Sequence, residues 1–322
     1  MNHIGVVGGG AWGTALALVA ARGGPVTLWA REAEVVAALN AGASPFLPGI
    51  AVAGVRAVGA LADLAACDAL IAAVPAQYLG AVLAAMNVGT RSLLLCAKGI
   101  EAVTARLPAE IAAAVAPAAR IAALSGPTFA AEVARGLPTA AVLACADASL
   151  GAAWIARLGA PAFRLYASDD VTGVEAGGAV KNVLAVAAGV VVGRGLGDNA
   201  RAAVIARGLA ELARYVRARG GRAETAMGLS GLGDLVLTAG SPQSRNMALG
   251  VALGGGASVA DALAAARGVA EGAATAPVLA ADAQRRGVAM PIADAVADLL
   301  AGRSTVDACV ERLLARPMGS EH

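Results

Sequence analysis

The chain has 322 residues, which is longer than one ordinary compact core and favours two domains. An apolar content of 58% with 15% charged residues indicates a globular protein and excludes a disordered one. The net charge of +2 is too small to indicate a nucleic-acid partner. The four cysteines form no C-x-x-C pair, which argues against disulfides or zinc, so no bound metal is expected.

The apolar residues are not arranged as membrane spans. The longest stretches without a charge, about 35–55 and 69–90, contain prolines and polar residues, whereas a spanning helix needs about 20 predominantly apolar residues in a row. The N-terminus has neither the basic region nor the cleavage site of an export signal. We therefore expect a cytoplasmic protein with no integral membrane segment.

Predicted strands and helices alternate through the first half of the chain. A strand over 3–7 runs into a glycine turn and an apolar helix, and a strand over 26–30 precedes a helix that opens with acidic residues. Further strands are predicted at 69–74, 92–96, 121–124 and 140–146. This alternation predicts an α/β Rossmann domain, a mostly parallel sheet with helices on both faces.

The pattern changes near residue 170. A long apolar helical run, 170–195, is followed by an amphipathic helix, 199–221, and no convincing strand comes after them. We predict an NAD(P)-binding Rossmann domain over 1–176. A C-terminal all-α domain over 177–322 is expected to bind the substrate and hold catalytic groups, with the boundary somewhere in 170–177.

A glycine motif, G-x-G-x-x-G, joins the first predicted strand to the first helix through Gly8, Gly10 and Gly13, with Ala11 and Trp12 between them. In this context the first glycine allows a tight turn, the second lets the backbone approach a pyrophosphate, and the third lets the helix pack on the strand. The helix N-terminus then favours the anion. The motif predicts a dinucleotide site; a turn with packing duties only is the alternative.

The end of the second strand bears on the choice of cofactor. An acidic residue there binds the ribose 2′-hydroxyl of NAD, whereas an arginine suits the 2′-phosphate of NADP. Arg31 occupies this place, so NADP(H) is the preferred cofactor and NAD(H) stays possible. Glu32 follows at once and admits a second interpretation, since it also fits an acid in the first helical turn.

Basic residues of two kinds are rare in this chain. The two histidines, His3 and His322, lie at the extreme ends, which argues against histidine general-base chemistry. Only two of the 25 basic residues are lysines, Lys98 and Lys181. Because arginine fills the surface, a position that keeps lysine is a candidate for releasing a proton near neutral pH.

Six ordered clusters span the chain and resemble the bacterial-type NAD(P)-dependent glycerol-3-phosphate dehydrogenases. They are GGGAWGTALA (8–17), CAKGIE (96–101), SGPTFAAE (125–132), GGAVKNV (177–183), GLGDLVLT (231–238) and SPQSRN (241–246). The resemblance implies reversible, NAD(P)H-dependent reduction of dihydroxyacetone phosphate to sn-glycerol 3-phosphate, which supplies the glycerophospholipid backbone. It also implies a Rossmann domain, an all-α domain and an active site between them.

The resemblance assigns roles to both lysines. It implies that Lys181 is the general acid/base, and a lysine in an apolar helix can indeed have its pKa lowered towards neutrality. A buried structural ion pair is the alternative role. Asn182 is either a substrate contact or polar filler. Lys98 resembles a cation near substrate and nicotinamide, although a surface loop lysine is another interpretation.

The remaining site residues also follow from the resemblance. Gly126 and Thr128 resemble a substrate-contacting turn, with Ala130 near the cofactor; an ordinary helix N-cap is the other reading of Thr128. Asp234 resembles an acid that orients the lysine or a substrate hydroxyl, unless it serves turn chemistry. Thr238 follows one helical turn later and either faces the same site or bonds its own backbone.

A phosphate grip is the last implied element. Ser244, Arg245 and Asn246 resemble the residues that hold the substrate phosphate, and Arg245 is also expected near the cofactor. Val269 and Glu271, in GVAEG, resemble a cofactor-contacting VVEG turn, from which Ala270 departs.

Two other functions stay open from the sequence. One is a related two-domain dehydrogenase acting on a hydroxy acid, which would call for a differently placed arginine. The other is a non-catalytic NAD(P)H-sensing regulator, which would need a DNA- or partner-binding module that the chain does not show. The apolar helical domain favours a homodimer, because similar helix faces often pair.

Overall fold

The structure is a computed structural model that describes residues 1–265 and 270–315. Its eight strands are β1 (Ile4–Val7), β2 (Val26–Trp29), β3 (Val55–Val58), β4 (Ala69–Ala72), β5 (Ser92–Leu95), β6 (Arg120–Ser125), β7 (Thr139–Ala144) and β8 (Phe163–Ser168). They form one sheet in the order β3-β2-β1-β4-β5-β6-β7-β8. Only the pair of β6 and β7 is antiparallel. The predicted Rossmann-type sheet is confirmed.

Helices cover both faces of this sheet. They are α1 (Ala11–Ala21), α2 (Ala33–Asn40), α3 (Ala76–Ala84), α4 (Pro108–Val115), α5 (Ala130–Ala134) and α6 (Ala148–Leu158), with a short 3-10 turn at Leu61–Leu64. Successive residues of a strand point to opposite faces, so Val6 packs in the core beneath α1, α2, α5 and α6. Val7 packs in the other core, beneath α3 and α4. The sheet is therefore buried on both sides, as parallel sheets require.

Two strands, β3 and β8, were not among the sequence predictions. Both lie at the edges of the sheet, where one backbone side has no strand partner. In β3 the residue Arg56 is exposed, and in β8 five of six residues are at least partly exposed in a pattern without a continuous apolar run. Half-exposed edge strands therefore give no clear period-2 or apolar signal.

The rest of the described chain, 171–265 and 270–315, is helical and contains no strand. Its helices are α7 (Val171–Gly193), α8 (Gly197–Ala218), α9 (Ala223–Ala226), α10 (Asp234–Gly240), α11 (Arg245–Gly254), α12 (Val259–Ala265), α13 (Glu271–Arg285), α14 (Pro291–Leu300) and α15 (Val306–Leu314), with a π-helical turn at Leu229–Gly233. The predicted division between 176 and 177 falls inside α7, and the two-domain division stays a prediction.

Helix α7 forms the centre of the second core. By length and composition it is apolar enough to cross a membrane, but 83% of its most apolar 18-residue window is buried within the protein. Helices α8, α10, α11, α13 and α14 pack around it. That burial identifies α7 as a core helix.

Glycines bring α11 unusually close to α7. A Cβ atom at Gly250 would lie 2.1 Å from the Val186 carbonyl oxygen, and one at Gly189 would lie 2.2 Å from the Met247 carbonyl oxygen. Neither helix could carry a side chain here without moving its backbone. This contact fixes the N-terminus of α11 relative to the middle of α7.

Candidate functional site

A buried centre of two lysines and one aspartate lies where the sheet meets the helical region. Lys181 projects from α7, Asp234 is the first residue of α10, and Lys98 lies in the loop after β5. The Asp234 carboxylate accepts from Lys98 Nζ at 2.8 Å and pairs with Lys181 Nζ at 3.1 Å, one ammonium on each oxygen. One carboxylate thus holds both of the chain's lysines.

Thr238 completes this centre. Its hydroxyl oxygen accepts a hydrogen bond from Lys181 Nζ at 2.9 Å and donates to Asp234 Oδ1 at 3.1 Å. The four-residue spacing on α10 places Thr238 and Asp234 on the same helix face. The Thr238 side chain therefore faces the site, which is the first of its two interpretations.

Burial sets the protonation behaviour of the centre. Desolvation lowers the pKa of Lys181 from 10.5 to about 8, and the neighbouring Lys98 charge adds to this, against the opposing attraction of Asp234. For Asp234, burial alone would raise the carboxyl pKa, but the two lysines outweigh it and the pKa lies below its ordinary value. The carboxylate stays ionised while Lys181 can exchange a proton near neutral pH.

Small residues allow the elements to meet here. A Cβ atom at Gly177 would lie 3.0 Å from the Ser230 carbonyl oxygen in the π-helical turn, and one at Gly178 would lie 2.7 Å from Ser125 Oγ. Helix α7 can therefore approach both the end of β6 and the turn that leads into Asp234. Asp234 is 2% exposed and ion-paired, so its role extends beyond the turn chemistry that was the alternative.

The backbone of Lys98 is held at both ends. Its N–H donates to Glu271 Oε2 at 3.2 Å, and its carbonyl oxygen accepts from Asn182 Nδ2 at 2.7 Å. The Asn182 amide oxygen accepts from Asn246 Nδ2 at 2.8 Å, and Asn246 Oδ1 accepts from Gly272 N at 2.9 Å. Asn182 is thus a connecting group between the lysine loop and the N-terminus of α11, and not isolated polar filler.

The Lys98 side chain enters the site and does not lie on the surface. Its ammonium donates to the Gly126 carbonyl oxygen at 2.9 Å and approaches Thr128 Oγ1 at 3.4 Å, with 14% of the side chain exposed. Gly126 has φ +145°, which favours glycine. The N-cap of α5 is Phe129, so the N-cap interpretation of Thr128 is wrong; its hydroxyl donates to Gly126 O at 3.1 Å.

The expected phosphate grip lies at the start of α11. Ser244 is the N-cap, and its Oγ accepts from Met247 N at 3.2 Å. Arg245 is exposed and pairs with no acidic side chain within 1–265 and 270–315. A free guanidinium above a helix N-terminus is well suited to an anion.

The glycine turn has the shape that a pyrophosphate requires. Gly8 has φ +117°, a Cβ atom at Gly13 would lie 1.9 Å from the Gly8 carbonyl oxygen, and the space beside Gly10 is open to 4 Å. Gly10 caps α1, whose first residues are Ala11 and Trp12, so free N–H groups face this space. The indole Nε1 of Trp12 is buried without a protein partner within the described residues. A dinucleotide therefore fits these residues.

Three other predicted cofactor contacts stand at different places. Arg31 follows β2 with 76% of its side chain exposed and pairs with Glu32 Oε1 at 2.6 Å. Ala130 is the first residue of α5, beside the turn that contacts Lys98. Glu271 binds the Lys98 loop, as above, and also accepts from Ala76 N at the start of α3 at 3.2 Å. Val269 lies outside the described residues.

Two buried hydroxyls near the centre were not among the predicted site residues. Ser125, at the end of β6, is 4% exposed and Thr275, on α13, is fully buried, yet neither side-chain oxygen has a protein partner within the described residues. A Cβ atom at Gly99 would lie 3.3 Å from Thr275 Oγ1. Serine and threonine are too common for sequence to single these out. No group of acidic, histidine or cysteine side chains that could hold a metal occurs within 1–265 and 270–315.

Comparison with known proteins identifies the family. The model of the NAD-dependent glycerol-3-phosphate dehydrogenase N-terminus matches residues 3–151, and that of the C-terminus matches residues 170–311. Proteins named glycerol-3-phosphate dehydrogenase [NAD(P)+] from Caulobacter vibrioides and Erythrobacter litoralis are each 54% identical. The first alignment covers 99% of both chains, the second 99% of this chain and 98% of the relative.

A solved structure agrees with these relatives over the whole fold. The crystal structure of glycerol-3-phosphate dehydrogenase from Coxiella burnetii superposes with a TM-score of 0.93 at 37% identity, over 98% of this chain and 99% of the other. The hydroxy-acid dehydrogenase and regulator alternatives are thereby set aside. The chain belongs to the NAD-dependent glycerol-3-phosphate dehydrogenase family.

Proposed function

We propose that this enzyme reduces dihydroxyacetone phosphate to sn-glycerol 3-phosphate, reversibly, and that Lys181 gives the proton to the ketone oxygen and takes it back. The observation that supports this assignment is the buried Lys181–Asp234–Lys98 centre. The hydride comes from the nicotinamide of NAD(P)H when that cofactor is bound at the glycine turn.

Lys181 is suited to both directions of the reaction. With its pKa near 8, both the ammonium and the amine are populated close to neutral pH. The ammonium donates a proton when the ketone is reduced, and the amine accepts one when the alcohol is oxidised. Thr238 holds Nζ by a hydrogen bond, and Asp234 holds it by an ion pair. These two contacts fix the position of Nζ from which the proton is transferred.

Lys98 supplies a second positive charge at the same place. We infer that its ammonium stabilises the negative charge that develops on the substrate oxygen, an electrostatic role that needs no proton transfer. Its backbone is fixed by Glu271 and Asn182, so this cation is positioned before the substrate arrives.

Phosphate recognition is assigned to Ser244, Arg245 and Asn246. Arg245 has no competing acidic partner within the described residues, and its guanidinium can give two parallel hydrogen bonds to a phosphate. The link from Asn246 through Asn182 to the Lys98 loop connects the phosphate end of the substrate to its reacting end.

NADP(H) is the proposed preferred cofactor. The exposed guanidinium of Arg31 lies just past the carboxyl end of β2, where the 2′-phosphate of NADP is bound in Rossmann domains. Glu32 neutralises part of this charge, so NAD(H) remains usable. The homodimer and the cytoplasmic location stay predictions.

The experiment compares dihydroxyacetone phosphate with unphosphorylated dihydroxyacetone in NADPH oxidation by the wild type and Arg245→Ala. The wild type should prefer the phosphorylated ketone strongly in kcat/KM. Arg245→Ala should lose about ten- to a hundredfold on the phosphorylated ketone and little on the other, because only the former offers the charge-assisted contact. An equal loss on both ketones would remove Arg245 from phosphate binding.

A further inference from the structure

A cavity lies between the loop that follows Lys98 and helix α13. It has two adjoining parts of about 570 Å³ and 400 Å³, which share Thr104, Ala105 and Arg285. Small-molecule sites have volumes of roughly 300–1,000 Å³. The residues around it include no member of the lysine–aspartate centre, the glycine turn or the phosphate grip, so this cavity is separate from the proposed active site.

Eight of the ten residues that line the larger part of the cavity are apolar, the exceptions being Thr104 and Arg285. Alanines of α13 form one wall together with Pro277 and Val278, and the loop residues 102–105 form the other. Val103, in that loop, is 93% exposed. This part therefore presents apolar side chains to a ligand.

The smaller part is lined by four arginines and two acids. Both acids are already engaged: Glu110 pairs with Arg219, and Asp282 pairs with Arg219 at 3.0 Å, Arg285 at 3.1 Å and Arg286 at 2.8 Å. Asp282 also accepts from the buried Tyr215 hydroxyl at 2.8 Å.

Positive charge is therefore in surplus at this end. The guanidinium of Arg106 pairs with no acidic side chain within 1–265 and 270–315, and 60% of the Arg285 side chain is exposed beside it in the same cavity. Guanidinium groups match the planar geometry of phosphate and carboxylate oxygens. This arrangement of charges favours the binding of an anion.

We propose that this cavity binds an anionic amphiphile, with a phosphate or carboxylate head at Arg106 and Arg285 and a short apolar tail along the alanine wall of α13. The two halves of the cavity match the two halves of such a molecule. Neither a simple inorganic anion nor a neutral apolar compound would use both halves.

The cavity borders the loop that contains Lys98 and the helix that holds the backbone N–H of Lys98. The loop that forms one wall follows β5 and contains Lys98, and α13 begins with Glu271, whose carboxylate accepts from Lys98 N. A ligand that bridges the loop and α13 would alter the contact between Glu271 and the Lys98 backbone. Its binding is therefore expected to change turnover without competing with the substrate.

The test is calorimetric titration with octyl phosphate below its micelle-forming concentration. The full chain bearing Arg245→Ala is used, so that the proposed phosphate grip cannot bind the probe. Inorganic phosphate and octyl glucoside should each bind at least about tenfold more weakly, because each fills one half of the cavity. Octanoate, compared with octyl phosphate, distinguishes a carboxylate head from a phosphate head.

Matched variants locate the binding. Adding Arg106→Gln or Ala281→Glu should weaken the binding of octyl phosphate at least about fivefold. Adding Arg164→Gln, which replaces an exposed arginine of the edge strand β8, should leave that affinity unchanged. Absence of binding by both amphiphiles would overturn the proposal. So would equal affinity in all three variants, or octyl glucoside binding as tightly as octyl phosphate.

Discussion

Replacement of Lys181 tests the proposed acid/base directly. A pKa of about 8 instead of 10.5 makes the neutral amine about 300-fold more abundant at pH 7, which corresponds to roughly 3 kcal/mol of differential stabilisation. Ketone reduction uses the ammonium, so its rate should be constant below pH 8 and fall about tenfold for each pH unit above it. Alcohol oxidation uses the amine, so it should rise up to about pH 8 and then become constant.

Two variants separate the charge of Lys181 from its proton. Lys181→Arg keeps the charge but does not release a proton in this range, and Lys181→Met keeps much of the stem without any acid. Both should lose about a hundredfold or more in turnover. Asp234 keeps its 2.8 Å pair with Lys98 in either variant, and the glycine turn is untouched, so folding and NADPH affinity should persist.

The assay measures turnover in both directions from pH 6 to 10, beside NADPH affinity by nicotinamide fluorescence. A folded variant with near-normal turnover and an unchanged pH profile would show that Lys181 is structural. Loss of NADPH binding in parallel with turnover would instead show that the substitution disturbs the whole site.

Three further changes have defined outcomes. Asp234→Asn removes the carboxylate that favours the charged form of the acid/base lysine, so the fall in ketone reduction should begin below pH 8; an unchanged break would separate the carboxylate from the proton donor. Arg31→Asp should weaken NADPH about ten- to a hundredfold while NADH stays similar or improves, with Arg164→Asp, on the opposite sheet edge, as the control in fluorescence titrations. Gly250→Ala places a methyl group 2.1 Å from a carbonyl oxygen of α7 and should lower the free energy of unfolding by about 1–3 kcal/mol or more, whereas Gly240→Ala, with open space around it, should not.

Most of the fold could be predicted because its signals are local. The strand β1, the glycine turn and α1 appear in sequence as an apolar run, three spaced glycines and a second apolar run, and each pattern reflects burial on both sides. The edge strands β3 and β8 were not predicted because they are only partly buried. Their place in the sheet comes from pairing with β2 and β7, which is a long-range property.

The site could be predicted in its members but not in its connections. Two lysines in an arginine-rich chain marked Lys98 and Lys181, and the resemblance related Asp234 to the acid/base lysine. Nothing local indicated that Lys98 also binds Asp234 or that Lys98 is mostly buried. Likewise Asn182 was ambiguous, because its value lies in joining the Lys98 carbonyl oxygen to Asn246, residues 84 and 64 positions away. Hydrogen bonds between distant segments leave no period or spacing in a sequence.

One helix determines how the proton donor and the phosphate grip are arranged. Helix α7 presents Lys181 and Asn182 to the site, and two turns further on its Gly189 packs against the backbone of α11. The N-terminus of α11 carries Arg245, so the expected phosphate position and the lysine ammonium are fixed by the same rigid contact. Binding energy gained at the phosphate can then orient the ketone against Lys181, and this use of remote contacts raises turnover as well as affinity.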